Sequence, residues 1–445
     1  MNKRTRPLSF MSLAVLAMAI TACGGTPAVT ATPAAQGETK LVTLRIGPGV
    51  TSAALTSTVT GAQVIAFDHT TGRAVLSVPV DTASKLSSAN LSAQALGSLD
   101  AGVLGVEADG VMKVLADDPE ADALGLTTWA GGLTTWAGGL TTWAGGALTW
   151  AGGVNFLNSS DLASAGAYWN KLGIPWAQKL IPELGTGVTV ATIDTGIDLN
   201  HPLLQGRIDT ANSWDFIGND AVPQEENSGG KYGHGTAVAG VILQIAPNAK
   251  IQAYRALKPD GSGAMSNVIA AITKASTNGA RVINLSLGST TNSLALNTAV
   301  AAALAKGILV VNSSGNAGTE GVVYPGAALG TLQFPLTSGL ISVGSVTLDL
   351  KKSSFSQYAK NLSMTAPGEL ILTTFPDARL VKASGTSFAA PAVSGALALA
   401  LSTGATSASV AANVKATASA NLDPTFNPEL GAGTLNVGAL ADNYR

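Results

Sequence analysis

One serine in this chain has the setting of a nucleophile. Ser387 follows Gly385-Thr386 and precedes the apolar run Phe388-Ala389-Ala390-Pro391, so a tight turn leads into a predicted buried helix. A serine hydroxyl attacks poorly unless a base takes its proton and hydrogen-bond donors hold the oxyanion that forms. The rest of the sequence must therefore supply a base, an acid that orients it, and an oxyanion donor.

Three histidines are candidates for the base. His234 lies between glycines in Tyr232-Gly233-His234-Gly235-Thr236, and small residues that suit a closely packed helix follow it. His69 lies in a turn-like segment. His201 lies on a loop a few residues after Asp194, too close to bridge that acid and a distant serine. We therefore predict that His234 is the base and that His69 and His201 have structural roles.

Two further polar motifs each follow a predicted buried strand. Asp194-Thr195-Gly196 comes at the end of the strand 187–193, where a carboxylate can orient a histidine and stabilise its imidazolium. Asn316 lies in the turn Ser313-Ser314-Gly315-Asn316, and its amide can donate to an oxyanion together with the Ser387 N–H. Asparagine in such a turn is also ordinary turn chemistry.

Two other hydrolase classes fit these motifs less well. Asp-Thr-Gly also surrounds the carboxylate of aspartic proteases, but they need a second such carboxylate, and the chain has no second Asp-Thr-Gly. A lipase or esterase would carry Gly-x-Ser-x-Gly, whereas Gly385-Thr386-Ser387-Phe388-Ala389 lacks the second glycine. The set indicates acyl transfer by a Ser-His-Asp triad.

The segments around these motifs alternate between strand and helix patterns. Short apolar runs typical of buried strands occupy 187–193, 250–256, 280–287, 307–311 and 340–346. Helical apolar spacing occurs at 265–276 and 293–305. This alternation predicts an α/β domain over 159–445, with a mostly parallel sheet covered by helices on both faces. The polar motifs fall at the carboxyl ends of the strands, where such sheets collect their chemistry.

A smaller unit is predicted over residues 40–116. Strand-like runs occupy 41–46 and 74–80, helical composition covers 82–96, and two more short β-like runs lie within 103–115. This mixture predicts a small α+β domain. The segment contains no convincing catalytic cluster.

Residues 117–158 contain an internal repeat. Leu126-Thr127-Thr128-Trp129-Ala130-Gly131-Gly132 recurs at 133–139 and 140–146, with a degraded copy at 147–153. Paired glycines in every copy forbid a stable coiled-coil helix. We interpret the segment as a low-complexity linker. The alternatives are an aromatic ladder that contacts carbohydrate or the cell envelope, and a strap packed on a neighbouring domain; the sequence does not choose between these two.

Residues 1–22 have the pattern of a signal peptide. Basic residues precede the apolar stretch 8–20, which is short for a membrane span. It ends at Ile20-Thr21-Ala22-Cys23, which resembles a bacterial lipobox, so Cys23 is a candidate lipidation site and membrane anchor; an ordinary signal with a chance cysteine is the alternative. Residues 23–39 then predict a flexible tether. The expected location is the bacterial cell envelope, with release of the catalytic domain outside the cell as a further outcome.

Composition limits the remaining classes. With 46% hydrophobic and 12% charged residues, the 445-residue chain can bury one large core and a smaller one. Its formal net charge of −2 provides no basic surface for nucleic acid, so no nucleic-acid partner is expected.

Asp194, His234, Asn316 and Ser387, in this order and with these neighbours, resemble the subtilisin-like serine proteases, the subtilases. The likeness covers residue 188 to the end of the chain and includes Ala366-Pro367-Gly368. It implies a subtilisin-like three-layer α/β domain and a serine endopeptidase that acts on proteins or peptides.

The resemblance implies further roles. Ser286-Leu287-Gly288 resembles the edge segment that pairs with substrate backbone and lines the main specificity pocket, and Ser314 and Gly315 would form the opposite wall. Residues 40–116, including Val106-Glu107-Ala108-Asp109, resemble the inhibitory propeptide that assists folding and is removed autocatalytically. The chain's own propeptide is therefore an expected intramolecular partner.

Some positions depart from the family pattern. Ala237 stands where a second histidine often follows, and Leu203 where relatives often carry an aspartate. The segment 245–248 leaves no room for the calcium-binding loop that many relatives insert. Because hard cations need several oxygen ligands, we expect neither the usual tight calcium site nor a required cofactor, and we assign no metal ligands; a weaker calcium site elsewhere stays open.

Two functions of different classes remain. The first is an active, lipid-anchored endopeptidase made as a self-processing zymogen. The second is a non-catalytic envelope-binding protein on the same scaffold, with the tryptophan repeat as its working surface. Since fold alone does not separate them, the complete catalytic set decides in favour of the enzyme.

Overall fold

The computed structural model of this chain describes residues 38–87, 96, 99–114, 127–128, 159–330 and 337–445. Residues 38–445 form one compact unit. The predicted signal peptide, Cys23, and most of the tether and of the tryptophan repeat lie outside the described residues. Within the described part of the chain, no helix is both long and apolar enough to cross a bilayer.

A four-stranded antiparallel sheet with two helices begins the described chain. Its elements are β1 (Thr39–Ile46), α1 (Ser52–Thr58), β2 (Gln63–Asp68), β3 (Arg73–Pro79), α2 (Val80–Leu86) and β4 (Ala101–Ala108). The strand order is β2-β3-β1-β4. Both faces of β1 are covered: Val42 and Leu44 pack with the region's own helices, whereas Leu41 joins a core of the larger domain. Two short strands follow, β5 (Val111–Lys113) and β6 (Thr127–Thr128).

The larger domain is built on a seven-stranded sheet. Its strands are β7 (Thr189–Asp194), β8 (Trp214–Asp215), β9 (Lys250–Arg255), β11 (Val282–Leu285), β12 (Leu309–Ser313), β13 (Leu340–Val346) and β14 (Met364–Pro367). All neighbours in the order β14-β13-β12-β11-β7-β9-β8 pair in parallel. The short strand β10 (Ser262–Ala264) lies outside this sheet.

Helices cover both faces of the sheet. They are α3 (Ser159–Leu172), α4 (Ile174–Leu180), α5 (His234–Ile245), α6 (Met265–Thr277), α7 (Leu294–Ala305), α8 (Thr386–Leu401), α9 (Ser407–Ala416) and α10 (Val437–Ala441). Two apolar cores result: one contains α5 and α8, and the other contains α6 and α7. Along β7, Val190 joins the first core and Ile193 the second, which explains why the strand is a continuous apolar run. The predicted α/β class with a mostly parallel, three-layer arrangement is confirmed.

A hairpin outside the main sheet completes the architecture. It consists of β15 (Ile371–Phe375) and β16 (Arg379–Ala383), and β6 adds a third antiparallel strand along β16. Thr127 and Thr128 of β6 belong to the first copy of the tryptophan repeat. The hairpin is followed directly by the turn that begins α8 and carries Ser387.

Candidate active site

Asp194 and His234 form a buried hydrogen-bonded pair. Asp194 is the last residue of β7 and His234 is the first residue of α5. The distance from His234 Nδ1 to Asp194 Oδ1 is 2.7 Å, and both side chains are almost fully buried. The Thr195 N–H donates to the same carboxylate oxygen at 2.7 Å. Since the carboxylate accepts from Nδ1, Nε2 is the ring nitrogen that can take a proton.

Glycines allow this pair to approach. A Cβ atom at Gly235 would lie 2.1 Å from the Gly196 carbonyl oxygen, so the start of α5 contacts the turn after β7 only because no side chain intervenes. Gly233 has a φ of +88°, and a Cβ there would lie 2.2 Å from the Phe375 ring. The glycines that flank His234 are therefore packing requirements as well as turn formers.

Ser387 lies in the first turn of α8, and the residue after it, Phe388, lies near His234. The Phe388 and His234 rings have centroids 5.4 Å apart. The first N–H groups of a helix have no partner within it, so the Ser387 N–H is one of the donors that point out of this end. The helix dipole also favours negative charge there. An oxyanion formed at Ser387 would therefore meet a favourable field.

Ser286 contacts Ser387 in two ways. Its carbonyl oxygen accepts from Ser387 Oγ at 3.3 Å, and its own Oγ donates to the Ser387 carbonyl oxygen at 2.8 Å. The second bond has a cause in the sequence: Pro391 has no N–H, so the carbonyl four residues earlier lacks its helical partner. The Ser286 hydroxyl fills that place.

Asn316 is bound to Thr386, the residue before Ser387. Its Oδ1 accepts from the Thr386 N–H at 2.9 Å and from Thr386 Oγ1 at 2.7 Å. Its Nδ2 lies beside Gly385, where a Cβ would come within 3.4 Å of it. With the oxygen bound to Thr386, the amide nitrogen is the end of the side chain that lies near Gly385, two residues before Ser387.

The predicted substrate edge is paired with a strand of the chain itself. The Lys113 N–H donates to the Gly288 carbonyl at 3.1 Å, and the Gly288 N–H donates to the Lys113 carbonyl at 2.9 Å. On its other side β5 pairs with β10, and the Val114 N–H donates to Gly261 at 2.8 Å. The backbone N–H and carbonyl groups of Gly288 thus form the hydrogen bonds that an extended peptide bound at this edge would form.

The other predicted pocket residues are buried close by. Leu287 and Met112 are fully buried in the core that contains α6 and α7. Ser314 donates from its Oγ to the Gln357 carbonyl at 3.1 Å, and Gly315 has a φ of +114°. The structure thus places Ser314 and Gly315 in the turn that leads to Asn316, and Leu287 in the apolar interior.

Comparison with known proteins identifies the family. The profile of the Subtilase family matches residues 185–433. The chain belongs to the subtilase family. It is 38% identical to "Thermitase" of Thermoactinomyces vulgaris over 53% of this chain and 82% of that protein. It is 38% identical to "Subtilisin BL" of Lederbergia lenta over 48% of this chain and 76% of that protein. The crystal structure of "a cold adapted subtilisin-like serine proteinase" is similar with 33% identity and a TM-score of 0.48, over 57% of this chain and 88% of that one.

The N-terminal region of this subtilase caps two helices of the larger domain. The Glu107 carboxylate accepts from Ser293 Oγ at 2.6 Å and from the N–H groups of Leu294 and Ala295 at 3.1 and 2.9 Å, at the start of α7. Asp109 Oδ1 accepts from the Ser266 N–H at 2.9 Å, at the start of α6. These carboxylates satisfy N–H groups that have no helical partner and lie at the positive ends of the helix dipoles.

The other two histidines lie in structural settings. His201 is fully buried; its Nδ1 accepts from the Leu203 N–H at 3.2 Å, and its Nε2 lies 3.0 Å from the Arg379 carbonyl oxygen. Burial lowers the pKa of His201, against smaller opposing effects of its hydrogen bonds and of Asp198. His69 lies in the turn between β2 and β3, edge-on to the Phe67 ring at 4.9 Å.

Sequence reasoning missed one buried acid. Glu225 is 6% exposed and bonds to Thr195 and Thr236, the neighbours of the two catalytic candidates. Nothing in its local sequence, Pro223-Gln224-Glu225-Glu226, distinguishes it from a solvated turn residue. No cluster of three or more His, Cys, Asp or Glu residues suited to a metal ion occurs among the residues described.

Proposed function

We propose that this subtilase is an exported serine endopeptidase that cleaves peptide bonds through an acyl-enzyme on Ser387. The observation that supports this most strongly is the 2.7 Å Asp194–His234 hydrogen bond at the start of a helix that packs against the nucleophile's own helix. A buried carboxylate bonded to Nδ1 is the arrangement that makes a histidine a directed base.

In the proposed mechanism the Ser387 hydroxyl attacks the peptide carbonyl while His234 Nε2 takes its proton. Asp194 stabilises the imidazolium, and the Asn316 amide and the Ser387 N–H stabilise the oxyanion. His234 then protonates the departing amine, and water attacks the acyl-enzyme by the same proton route in reverse. Activity should fall in mildly acidic solution, where His234 becomes protonated and can no longer act as the base.

We further propose that residues 40–116 are an inhibitory propeptide and that the chain processes itself. Two features support this: β5 occupies the edge that a substrate strand would use, and Glu107 and Asp109 cap the helices behind that edge. The pairing of Lys113 with Gly288 is antiparallel, so the following residues run toward Ser286, which contacts Ser387. We therefore expect the mature chain to begin within a few residues after Val114.

The decisive experiment compares wild type with Ser387→Ala. Wild type should convert to a shorter form and react covalently with a fluorophosphonate probe, whereas Ser387→Ala should do neither because the attacking oxygen is gone. Ser409→Ala, which removes an exposed hydroxyl on α9, is the matched control and should behave as wild type. A folded wild type that neither matures nor labels would reject the protease and leave the envelope-binding alternative.

The envelope location is a separate proposal that rests on the sequence at Cys23. We propose that residues 1–22 are a lipoprotein signal, that 23–39 are a tether, and that 117–158 link the propeptide to the catalytic domain at 159–445. Cys23→Ala should move the protein from the membrane fraction to the soluble fraction, measured by immunoblot after expression in a bacterial host. Unchanged membrane association would contradict the lipid anchor. The absence of a required cofactor stays a prediction.

A further inference from the structure

A carboxyl group lies buried against the Asp194–His234 pair. Glu225 is held to the turn after β7 because its N–H donates to the Ile197 carbonyl at 3.1 Å. Within the described residues, Asp194 is a charged neighbour of this carboxyl group and no cation forms an ion pair with it. Two carboxyl groups therefore lie close together in a buried site, an arrangement that costs free energy if both are charged.

The two oxygens of Glu225 bind the two elements that carry the catalytic candidates. Oε1 lies 2.5 Å from the hydroxyl of Thr195, the residue after Asp194. Oε2 accepts from the Thr236 N–H at 3.1 Å and lies 2.6 Å from the Thr236 hydroxyl, two residues after His234. One side chain therefore connects the end of β7 to the first turn of α5.

The number of protons in this network indicates its charge. The Thr195 hydroxyl accepts from the Gly235 N–H at 3.1 Å and has a single proton of its own. Two carboxyl oxygens approach that hydroxyl, Glu225 Oε1 at 2.5 Å and Asp194 Oδ1 at 3.3 Å. If both carboxyls were ionised, one proton would have to serve two acceptors. A proton on Glu225 resolves this, because Glu225 then donates to Thr195 and Thr195 donates to Asp194.

We propose that Glu225 is a protonated positioning residue that, through the Thr195 hydroxyl, orients the Asp194 carboxylate toward His234. Asp194 on β7 and Tyr232, just before α5, are titratable groups that interact electrostatically with Glu225, and His234 on α5 is hydrogen-bonded to Asp194. Burial raises the pKa of Glu225, and the charge of Asp194 acts in the same direction, while the hydrogen bonds from Thr195 and Thr236 oppose it. The kinetic predictions for Glu225 rest on the proposed protease activity, whereas its protonation state does not.

The test uses the full-length chain with Glu225→Gln, Glu225→Ala and Glu183→Gln, which changes an exposed glutamate in another part of the domain and is the control. A glutamine can donate to Thr195 and accept from Thr236 as a protonated glutamate does, so kcat/KM should stay within about three-fold of wild type. The acid limb of its pH profile should not move. Alanine removes the connection between β7 and α5, so kcat should fall by about ten-fold or more while KM changes little. Glu183→Gln should match wild type.

Two kinetic results would overturn the proposal. A shift of the acid limb to lower pH in Glu225→Gln would mean that Glu225 is charged in the resting enzyme and stabilises the protonated imidazole. A folded Glu225→Ala variant with wild-type kcat would mean that Glu225 does not position the pair. A merely structural role would change stability and leave both the pH profile and the ratio of kcat to KM unchanged.

Infrared spectroscopy tests the proton without any activity. The spectrum of Ser387→Ala minus that of Ser387→Ala with Glu225→Gln, at neutral pH, should contain the C=O stretch of a protonated carboxyl group. A difference spectrum with only carboxylate bands would reject the inference. A folded wild type that cleaves no peptide would instead contradict the proposed function and leave the infrared result standing, so the two failures are distinguishable.

Discussion

At the scale of single residues, Asn316 is the donor whose removal should report on the oxyanion. Asn316→Ala removes the proposed oxyanion donor Nδ2, and the same loss in subtilisin lowers kcat by about 10²–10³-fold. We expect a decrease of that order here, with KM changed little, because the interaction forms in the transition state. Steady-state kinetics on a peptide amide measures both constants. A large rise in KM with kcat unchanged would contradict the assignment.

The residues of the site differ in how far the sequence could predict them. Four of the site residues lie in short motifs with glycine or small neighbours, so their roles can be predicted from the local sequence. They are Asp194, His234, Asn316 and Ser387. Glu225 has no such motif; its burial depends on contacts with Thr195 and Thr236 that are distant in the chain.

The hydroxyl bond of Ser286 is an intermediate case. A proline within a predicted helix always leaves one carbonyl without its partner. Pro391 therefore predicts that the Ser387 carbonyl oxygen needs another hydrogen-bond donor. It does not say that the donor comes from Ser286, because that contact joins positions far apart in the sequence.

At the scale of elements, the cap on α7 should control how firmly the N-terminal region is held. Glu107→Ala removes the three hydrogen bonds that the Glu107 carboxylate accepts at the start of α7. Loss of a helix cap lowers the free energy of unfolding by about 0.5–2 kcal/mol. After self-processing, the two fragments should therefore separate at a higher protein concentration than in wild type. Size-exclusion chromatography over a dilution series measures this.

The control for this prediction is Asp81→Ala, which removes an exposed carboxylate on α2, a helix that packs against β1 and β3 of its own region. It should leave the concentration dependence unchanged. Equal behaviour of Glu107→Ala and wild type would show that the cap contributes nothing to the association of the fragments.

The elements themselves were largely predictable. The apolar runs at 187–193 and 340–346 coincide with β7 and β13 because both faces of those strands are buried. β2 was not predicted, since its sequence QVIAFD mixes polar ends with a short apolar centre. The pairing of Thr127 and Thr128 with β16 was not predicted either, because pairing partners depend on which edges the fold leaves open.

At the scale of the whole molecule, His201 should make stability depend on pH. Burial lowers its pKa in the folded state, whereas in the unfolded chain the pKa is about 6.5. The unfolded state therefore binds the proton more readily, so stability is fully present above about pH 6.5 and decreases as pH falls below that value. In the Ser387→Ala background, urea unfolding at several pH values should show this decrease.

The comparison variant is His201→Asn in the same background. It keeps an acceptor for the Leu203 N–H and removes the titrating ring, so its unfolding free energy should decrease less steeply with acid than that of the parent. Equal slopes would show that other groups govern the acid sensitivity.

The contacts of Glu107 and Asp109 have a consequence for the lifetime of the enzyme. In the proposed mature form, the segment that completed the ends of α6 and α7 has been cut away, so a copy that unfolds would have to refold without those carboxylates. If refolding without that segment is slow, survival of the mature form is set by how slowly it unfolds rather than by the balance between folded and unfolded forms. Each molecule would therefore fold once, and its kinetic stability would be measured as the half-life of the folded state.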